Sequence, residues 1–243
     1  MFKNWKHFIP VSLLSLLLLA LLYGYTQLRG GSVDKFALNR LFAAVCAILA
    51  FIVLLIGPFS RLFDRFDKYL SYRKEVGVIA FVYGLLHTLL TIFFLPERYS
   101  LAGLLERNAL ATVLGLVAII SMAILFIFSF EKIIGLLNRK YWWYLQNWGM
   151  RIAGIAVFFH FVVLKWSGWL EWYRYENISR LASPFLPALS LLIAGLGFYV
   201  ILVRLTELIN KSLAKFTSKI GFIVYVLFVT GTILWGVKNW TAA

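Results

Sequence analysis

The chain has 243 residues, and its composition excludes an ordinary soluble protein: apolar residues make up 62% and charged residues 14%, against about 45–50% and about 25% in soluble domains. The net charge of +14 would suit a nucleic-acid-binding protein, but the Lys and Arg residues stand between long apolar runs. That pattern favours a lipid bilayer with anionic headgroups as the partner, and not nucleic acid. The single cysteine, Cys46, excludes an internal disulfide and a CxxC motif.

Seven apolar stretches are long enough to cross a bilayer, which takes about 20 residues per helix. In chain order, the predicted helices cover residues 8–28, 37–62, 75–95, 109–130, 149–169, 184–205 and 220–237. Pro96 ends the third helix, and Pro184 and Pro187 are placed in the first turn of the sixth, where a missing N–H costs nothing. The predicted fold class is therefore all-α, a polytopic bundle of membrane helices.

The distribution of basic residues predicts the orientation of the bundle. Lys and Arg are more numerous on the side that carries the N-terminal tail, fifteen against nine. The positive-inside rule then places the N-terminus in the cytoplasm of a multi-pass inner (plasma) membrane protein. Tryptophans cluster at both predicted ends of the fifth helix, as interfacial anchors do: Trp142, Trp143 and Trp148 at one end, and Trp166, Trp169 and Trp172 at the other.

Two histidines lie deep inside predicted spans, where an ionisable residue indicates function by default. His87 is the thirteenth residue of the third helix and His160 the twelfth residue of the fifth. These helices cross the membrane in the same direction, so a rise of about 1.5 Å per residue puts both imidazoles at nearly the same depth. The third histidine, His7, belongs to the basic tail and is expected to be solvated.

Two imidazoles at one level suit the two axial positions of a haem iron. Small residues that either make room for a porphyrin or serve helix packing stand near both histidines: Gly84, Ala153, Gly154 and Ala156. An interhelical hydrogen bond or a proton relay are alternative roles for the histidine pair, although no Asp or Glu lies deep in a span to extend a relay. Two histidines are too few for a zinc site.

The stretch Arg73-Lys74-Glu75-Val76-Gly77-Val78-Ile79-Ala80-Phe81-Val82-Tyr83-Gly84-Leu85-Leu86-His87 resembles the third helix of ferric-reductase-like transmembrane proteins. Its likeness is greatest to the haem-binding membrane subunit of the bacterial methionine sulfoxide reductase system. Residues 141–166, which include His160, resemble the fifth helix of that subunit. The resemblance implies a ferric-reductase-like core over residues 1–206, with a linker and an additional membrane helix over residues 207–243.

The resemblance also implies a b-type haem held by His87 and His160 as the metal ligands. Tyr83 matches the tyrosine of the third-helix motif, Arg73 matches its basic start, and Gly84 is counted with them as a cofactor-binding residue. The subunit family has a further histidine thirteen residues before the second ligand, and this chain has Asn147 there. One haem is therefore expected, and the seventh helix is an addition to the usual six.

The expected function is electron transfer from a cytoplasmic-side donor, a quinol or a flavin, to an extracytoplasmic acceptor. The sequence contains neither a G-x-G-x-x-G nor a P-loop pattern, so a separate reductase or acceptor protein is expected as the partner of this electron-transfer subunit. The alternative is a non-redox membrane protein, such as a small transporter or an assembly factor.

Overall fold

The computed structural model describes residues 5–30, 34–95, 100–130, 133, 138–176 and 185–241. Seven long helices form from these residues: α1 (Trp5–Leu28), α2 (Lys35–Leu62), α3 (Arg73–Leu89), α4 (Leu101–Ile127), α5 (Arg139–Arg174), α6 (Leu189–Ile209) and α7 (Lys211–Thr241). A 3₁₀-helix (Asp64–Tyr72) precedes α3, and a π-helical turn (Leu90–Phe94) follows it. Seven segments are long and apolar enough to cross a membrane, and the described residues contain no β-strand. The prediction of an all-α polytopic bundle is confirmed.

Several helices extend beyond the apolar stretches that predicted them. α5 begins at Arg139 instead of Gly149, and the side chain of Asn138 caps it by accepting a hydrogen bond from the Lys140 N–H at 2.9 Å. α5 ends only at Arg174, before Tyr175 in the left-handed conformation. Polar and aromatic residues suit the interfacial turns of a membrane helix, so the helix does not stop where the apolar run stops.

The start of α6 corrects one expectation. The helix begins at Leu189, so Pro187 precedes the helix and does not lie in its first turn. The Tyr25 hydroxyl donates a 2.7 Å hydrogen bond to the carbonyl oxygen of Pro187, which ties this segment to α1. Pro184 lies outside the described residues. The prediction for Pro187 was wrong because proline also suits the extended residues just before a helix.

Consecutive helices pack as antiparallel pairs: α2 with α3, α4 with α5, and α6 with α7. α2 is the centre of the bundle, since it also packs against α1, α5 and α6 and buries side chains such as Phe51 completely. α3 and α5 share no extensive interface within the described ranges. The two helices that carry His87 and His160 are therefore held by α2 and α4 and not by each other.

Candidate functional site

His87 lies near the end of α3, just before the π-helical turn. Its Nδ1 atom is 2.8 Å from the side-chain oxygen of Asn39 and 3.2 Å from the backbone oxygen of the same residue. Asn39 is in α2 and is only 5% exposed. A buried polar side chain among apolar helices needs partners, and Asn39 finds one of them in the imidazole of His87.

A closed set of hydrogen bonds orients Asn39. Its amide nitrogen donates to the Thr91 hydroxyl at 3.0 Å, and that hydroxyl donates to the carbonyl oxygen of His87 at 2.8 Å. Because the amide nitrogen is used by Thr91, the amide oxygen faces Nδ1 of His87. Asn39 thus presents two oxygen acceptors to that nitrogen, so the proton of the neutral imidazole lies on Nδ1.

His160 has the same arrangement with a partner on another helix. Its Nδ1 atom is 2.6 Å from the backbone oxygen of Ala111 in α4. α4 is kinked nearby, where Asn108 has non-helical angles (φ −144°, ψ 46°) and the Thr112 hydroxyl donates to the Asn108 carbonyl at 3.0 Å. A carbonyl oxygen only accepts, so Nδ1 of His160 also carries the proton.

The Nε2 atoms of both histidines are left with their lone pairs. No described group forms a hydrogen bond with either Nε2, and among the described residues both imidazoles bond through Nδ1. The buried side-chain atoms without a partner among the described residues are Glu75 Oε2, Arg151 Nε and Arg204 Nε. Neither Nε2 is among these fully enclosed atoms. A neutral imidazole in this state can coordinate a metal through Nε2.

A glycine makes room for His160. The Cβ atom of an alanine at Gly115 in α4 would lie 2.9 Å from Nδ1 of His160 and 3.0 Å from its Cε1. Real Cβ contacts are almost never shorter than 3.0 Å, so the ring rests directly on this glycine. Gly115 and Ala111 are one turn apart on α4, and both contact the imidazole of His160. We call these two residues the seat of His160.

Tyr83 and Gly84, two further predicted site residues, lie against neighbouring helices. Tyr83 is buried one turn before His87, with its ring 5.8 Å from that of Phe42 in α2. A Cβ atom at Gly84 would lie 3.0 Å from the sulfur of Cys46. Both residues therefore face neighbouring helices, and Gly84 permits close packing of α3 on α2.

Arg73 and Asn147 lie far from the two histidines. Arg73 is the first residue of α3, about 20 Å from His87 along the helix at 1.5 Å per residue. Asn147 is half-buried in α5, on the side of His160 that leads towards the start of that helix. The structure brings neither residue to the imidazoles. The described ranges also contain no group of three or more His, Cys, Asp and Glu side chains arranged for a metal ion.

Sequence reasoning missed the partners of the histidines: Asn39, Thr91, Ala111 and Gly115. Asn39 carried a usable signal, because it is an amide inside the apolar run of the second predicted helix. Ala111 had none, since it acts through its backbone oxygen, which every residue possesses.

Residues 41–157 match the family model described as "Ferric reductase like transmembrane component". The matched segment contains His87 and Asn147, and it ends just before His160. A comparison with curated proteins finds no match. Over just under half of its length, the chain is thus similar to ferric-reductase-like transmembrane components, and this similarity suggests a function in electron transfer across a membrane.

Proposed function

We propose that this chain is a membrane b-type haem protein in which His87 and His160 are the two axial ligands of one haem. The observation that carries the proposal is the shared state of the two rings. Each donates from Nδ1–H to an oxygen acceptor, and neither Nε2 has a hydrogen-bond partner among the described residues. The bundle supplies them from helices that run in the same direction and are not packed on each other.

The chemistry of the donor set fits haem. A metal-binding histidine almost always donates its second N–H to a carbonyl, a carboxylate or water, because this fixes the tautomer and makes the other nitrogen a better ligand. Asn39 and Ala111 supply such acceptors here. Two imidazoles without a third or fourth ligand suit haem iron and not zinc. When bound, the haem supplies one-electron chemistry.

The residues of the chain would bind and orient this group. Asn39 and Ala111 hold the two imidazoles, Gly115 gives His160 its space, and the apolar helices exclude water. Hydrogen bonding and burial are among the properties by which a protein sets the potential of a haem.

The proposed direction of electron transfer runs from a cytoplasmic-side donor to an extracytoplasmic acceptor, with the N-terminus in the cytoplasm of the plasma membrane. A quinol or a flavin is the proposed donor class. The resemblance of residues 73–87 to the membrane subunit of a methionine sulfoxide reductase system supports a chain that works with a separate reductase or acceptor protein. Asn147 in place of a further histidine supports one haem instead of two.

Haem binding is the first test of the proposal. The full chain is purified in detergent, supplied with haem, and measured by absorbance and by pyridine haemochrome assay. We expect one haem per chain and a six-coordinate, low-spin spectrum that changes on chemical reduction. Absence of bound haem would refute the proposal and favour the non-redox alternative, a transporter or an assembly factor. Bound haem that is never reoxidised by ferric chelates would refute the electron-transfer part.

Asn39 is predicted to tune the site. Asn39→Leu removes the nearer of the two oxygen acceptors of the His87 N–H, and such losses typically weaken metal binding about 10–100-fold. Asn39→Asp keeps an acceptor but makes it anionic, which increases electron donation by the imidazole and lowers the midpoint potential. Haem titration and redox titration measure these two effects. Asn239→Leu is the matched control, because Asn239 is a half-buried asparagine of α7 whose side chain donates to the Trp235 carbonyl. Unchanged affinity and potential in both Asn39 variants would exclude this role.

Gly115→Ala is predicted to displace the imidazole of His160. The added methyl group would meet the ring at 2.9 Å, so the ring or α4 must shift, which disturbs the hydrogen bond to the Ala111 carbonyl. We expect haem affinity to fall by about tenfold or more, as for the loss of other outer-shell contacts. Gly168→Ala is the control, because nothing lies within 4 Å of a Cβ atom there. If both alanine variants bind haem equally well, the seat of His160 is not where this structure places it.

A further inference from the structure

Four arginines converge at the end of the bundle where α1 begins. Arg61 comes from the last turn of α2, Arg73 from the first turn of α3, Arg151 from the early part of α5 and Arg204 from the late part of α6. Arg61 and Arg204 both lie beside Gly57, where a Cβ atom would be 3.7 Å from Nη2 of Arg61 and 3.9 Å from Nη1 of Arg204, and Arg73 and Arg151 are close enough for their charges to reach Arg204. We call these four residues the arginine cluster.

Glu207 supplies the carboxylate that pairs with the arginine cluster. One oxygen of Glu207 forms an ion pair with Arg61, and its other oxygen accepts a 2.8 Å hydrogen bond from Arg204. Its charge also acts on Arg73. Among the described residues, Arg73 and Arg151 form no ion pair of their own. The four arginines of the cluster therefore share one paired carboxylate, that of Glu207.

Burial makes this imbalance costly. Arg204 is only 7% exposed, and its Nε atom is buried without a hydrogen-bond partner. The Nε atom of Arg151 is also buried without a partner, and its guanidinium lies 4.8 Å from the ring of Trp148. A buried charged donor without a partner is strongly unfavourable. Exposed interfacial arginines solvated by water would not show these two enclosed donors.

We infer that the arginine cluster is a binding site for a phosphate group. A guanidinium presents its N–H donors in a planar fork that matches phosphate oxygens, and a phosphate would supply both the missing negative charge and acceptors for the unpartnered N–H groups. Two sources carry this chemistry at a membrane surface: the headgroup of an anionic phospholipid and a soluble phosphate ester.

The site is separate from the two histidines. Arg73 begins the helix on which His87 lies near the other end, about 20 Å away. The inference rests on Arg151, Arg204 and Glu207 and needs no haem, so its failure would leave the proposed function untouched.

The test uses the full chain and two separate probes. In the first arm, detergent-purified protein without added lipid is titrated with inorganic phosphate at constant ionic strength, and the thermal unfolding midpoint is followed. In the second arm, the protein is placed in nanodiscs of phosphatidylcholine alone or with phosphatidylglycerol, and the retained lipid is identified by native mass spectrometry. Arg151→Gln is the main variant because it breaks no ion pair, and Arg204→Gln is the second.

Stabilisation of the wild-type protein by either probe is expected, with an affinity that falls about tenfold or more in Arg151→Gln, as for the loss of one charge-assisted hydrogen bond. Arg40→Gln is the control, since Arg40 is exposed on α2 away from the cluster and donates to the Phe36 carbonyl. An effect of phosphate alone identifies a soluble ester, and an effect of phosphatidylglycerol alone identifies a lipid headgroup. No effect of either probe, or equal effects on wild type and Arg151→Gln, would overturn the inference.

Discussion

Replacing His87 or His160 by alanine is expected to abolish the low-spin haem spectrum of the purified protein, because either change removes one of two axial ligands. His7→Ala is the control: this histidine lies at the start of α1 with its ring 4.7 Å from that of Tyr72, and its loss should leave the spectrum unchanged. Absorbance in the oxidised and reduced states and the haem content per chain measure the effect.

A loss of haem must be separated from a loss of fold. Circular dichroism and size-exclusion elution should be the same for both alanine variants and for the wild type, since many apolar contacts besides the two histidines hold the helices together. His87→Gly offers a second readout, because added imidazole can occupy the space of the missing side chain and restore the spectrum. A normal spectrum in either alanine variant would show that the replaced histidine is not a ligand.

Glu207→Gln is expected to be the most destabilising single change outside the core, by about 3–5 kcal/mol, the usual cost of removing one partner of a buried ion pair. The amide keeps the shape of the side chain but removes the carboxylate that pairs with Arg61 and Arg204. The side chain of Arg204 is only 8% exposed. Unfolding in mixed micelles, followed by circular dichroism, gives the free energy difference.

The other described ion pair at a helix end provides the control. Arg174 and Glu176 are 3.7 Å apart and remain 60% and 51% exposed. Such surface pairs contribute only about 0–1 kcal/mol, so Glu176→Gln should change the free energy of unfolding by less than about 1 kcal/mol. Similar effects of the two glutamine variants would mean that water screens the Glu207 pair as well.

The existence and order of the seven helices could be predicted from the sequence because a bilayer requires long apolar runs. The ends of the helices could not be predicted in this way. α5 continues from Arg139 to Arg174 through residues that are polar or aromatic, and hydrogen bonding within a helix does not depend on apolar side chains. The kink at Asn108 was equally invisible, since no proline marks it.

The site was predictable only in part. His87 and His160 stand out because an imidazole within an apolar run is rare. Their partners depend on which helices pack together, and Ala111 contributes a backbone atom that leaves no mark in the sequence. Gly84 shows the same limit: a glycine beside a histidine suggested either space for a porphyrin or close helix packing, and only the structure shows that Cys46 of α2 lies against it.

Substitutions in the last helix, α7, should be tolerated better than substitutions in α2. α7 packs mainly on α6. Only 6% of the residues in its most apolar stretch are buried, against 67% in that of α2. Substitutions between apolar residues on the lipid side of α7 thus disturb few neighbours, whereas the same substitutions in α2 reach the helices that hold both imidazoles. The chain therefore divides into a part whose side chains are closely constrained and a peripheral part that is open to sequence drift.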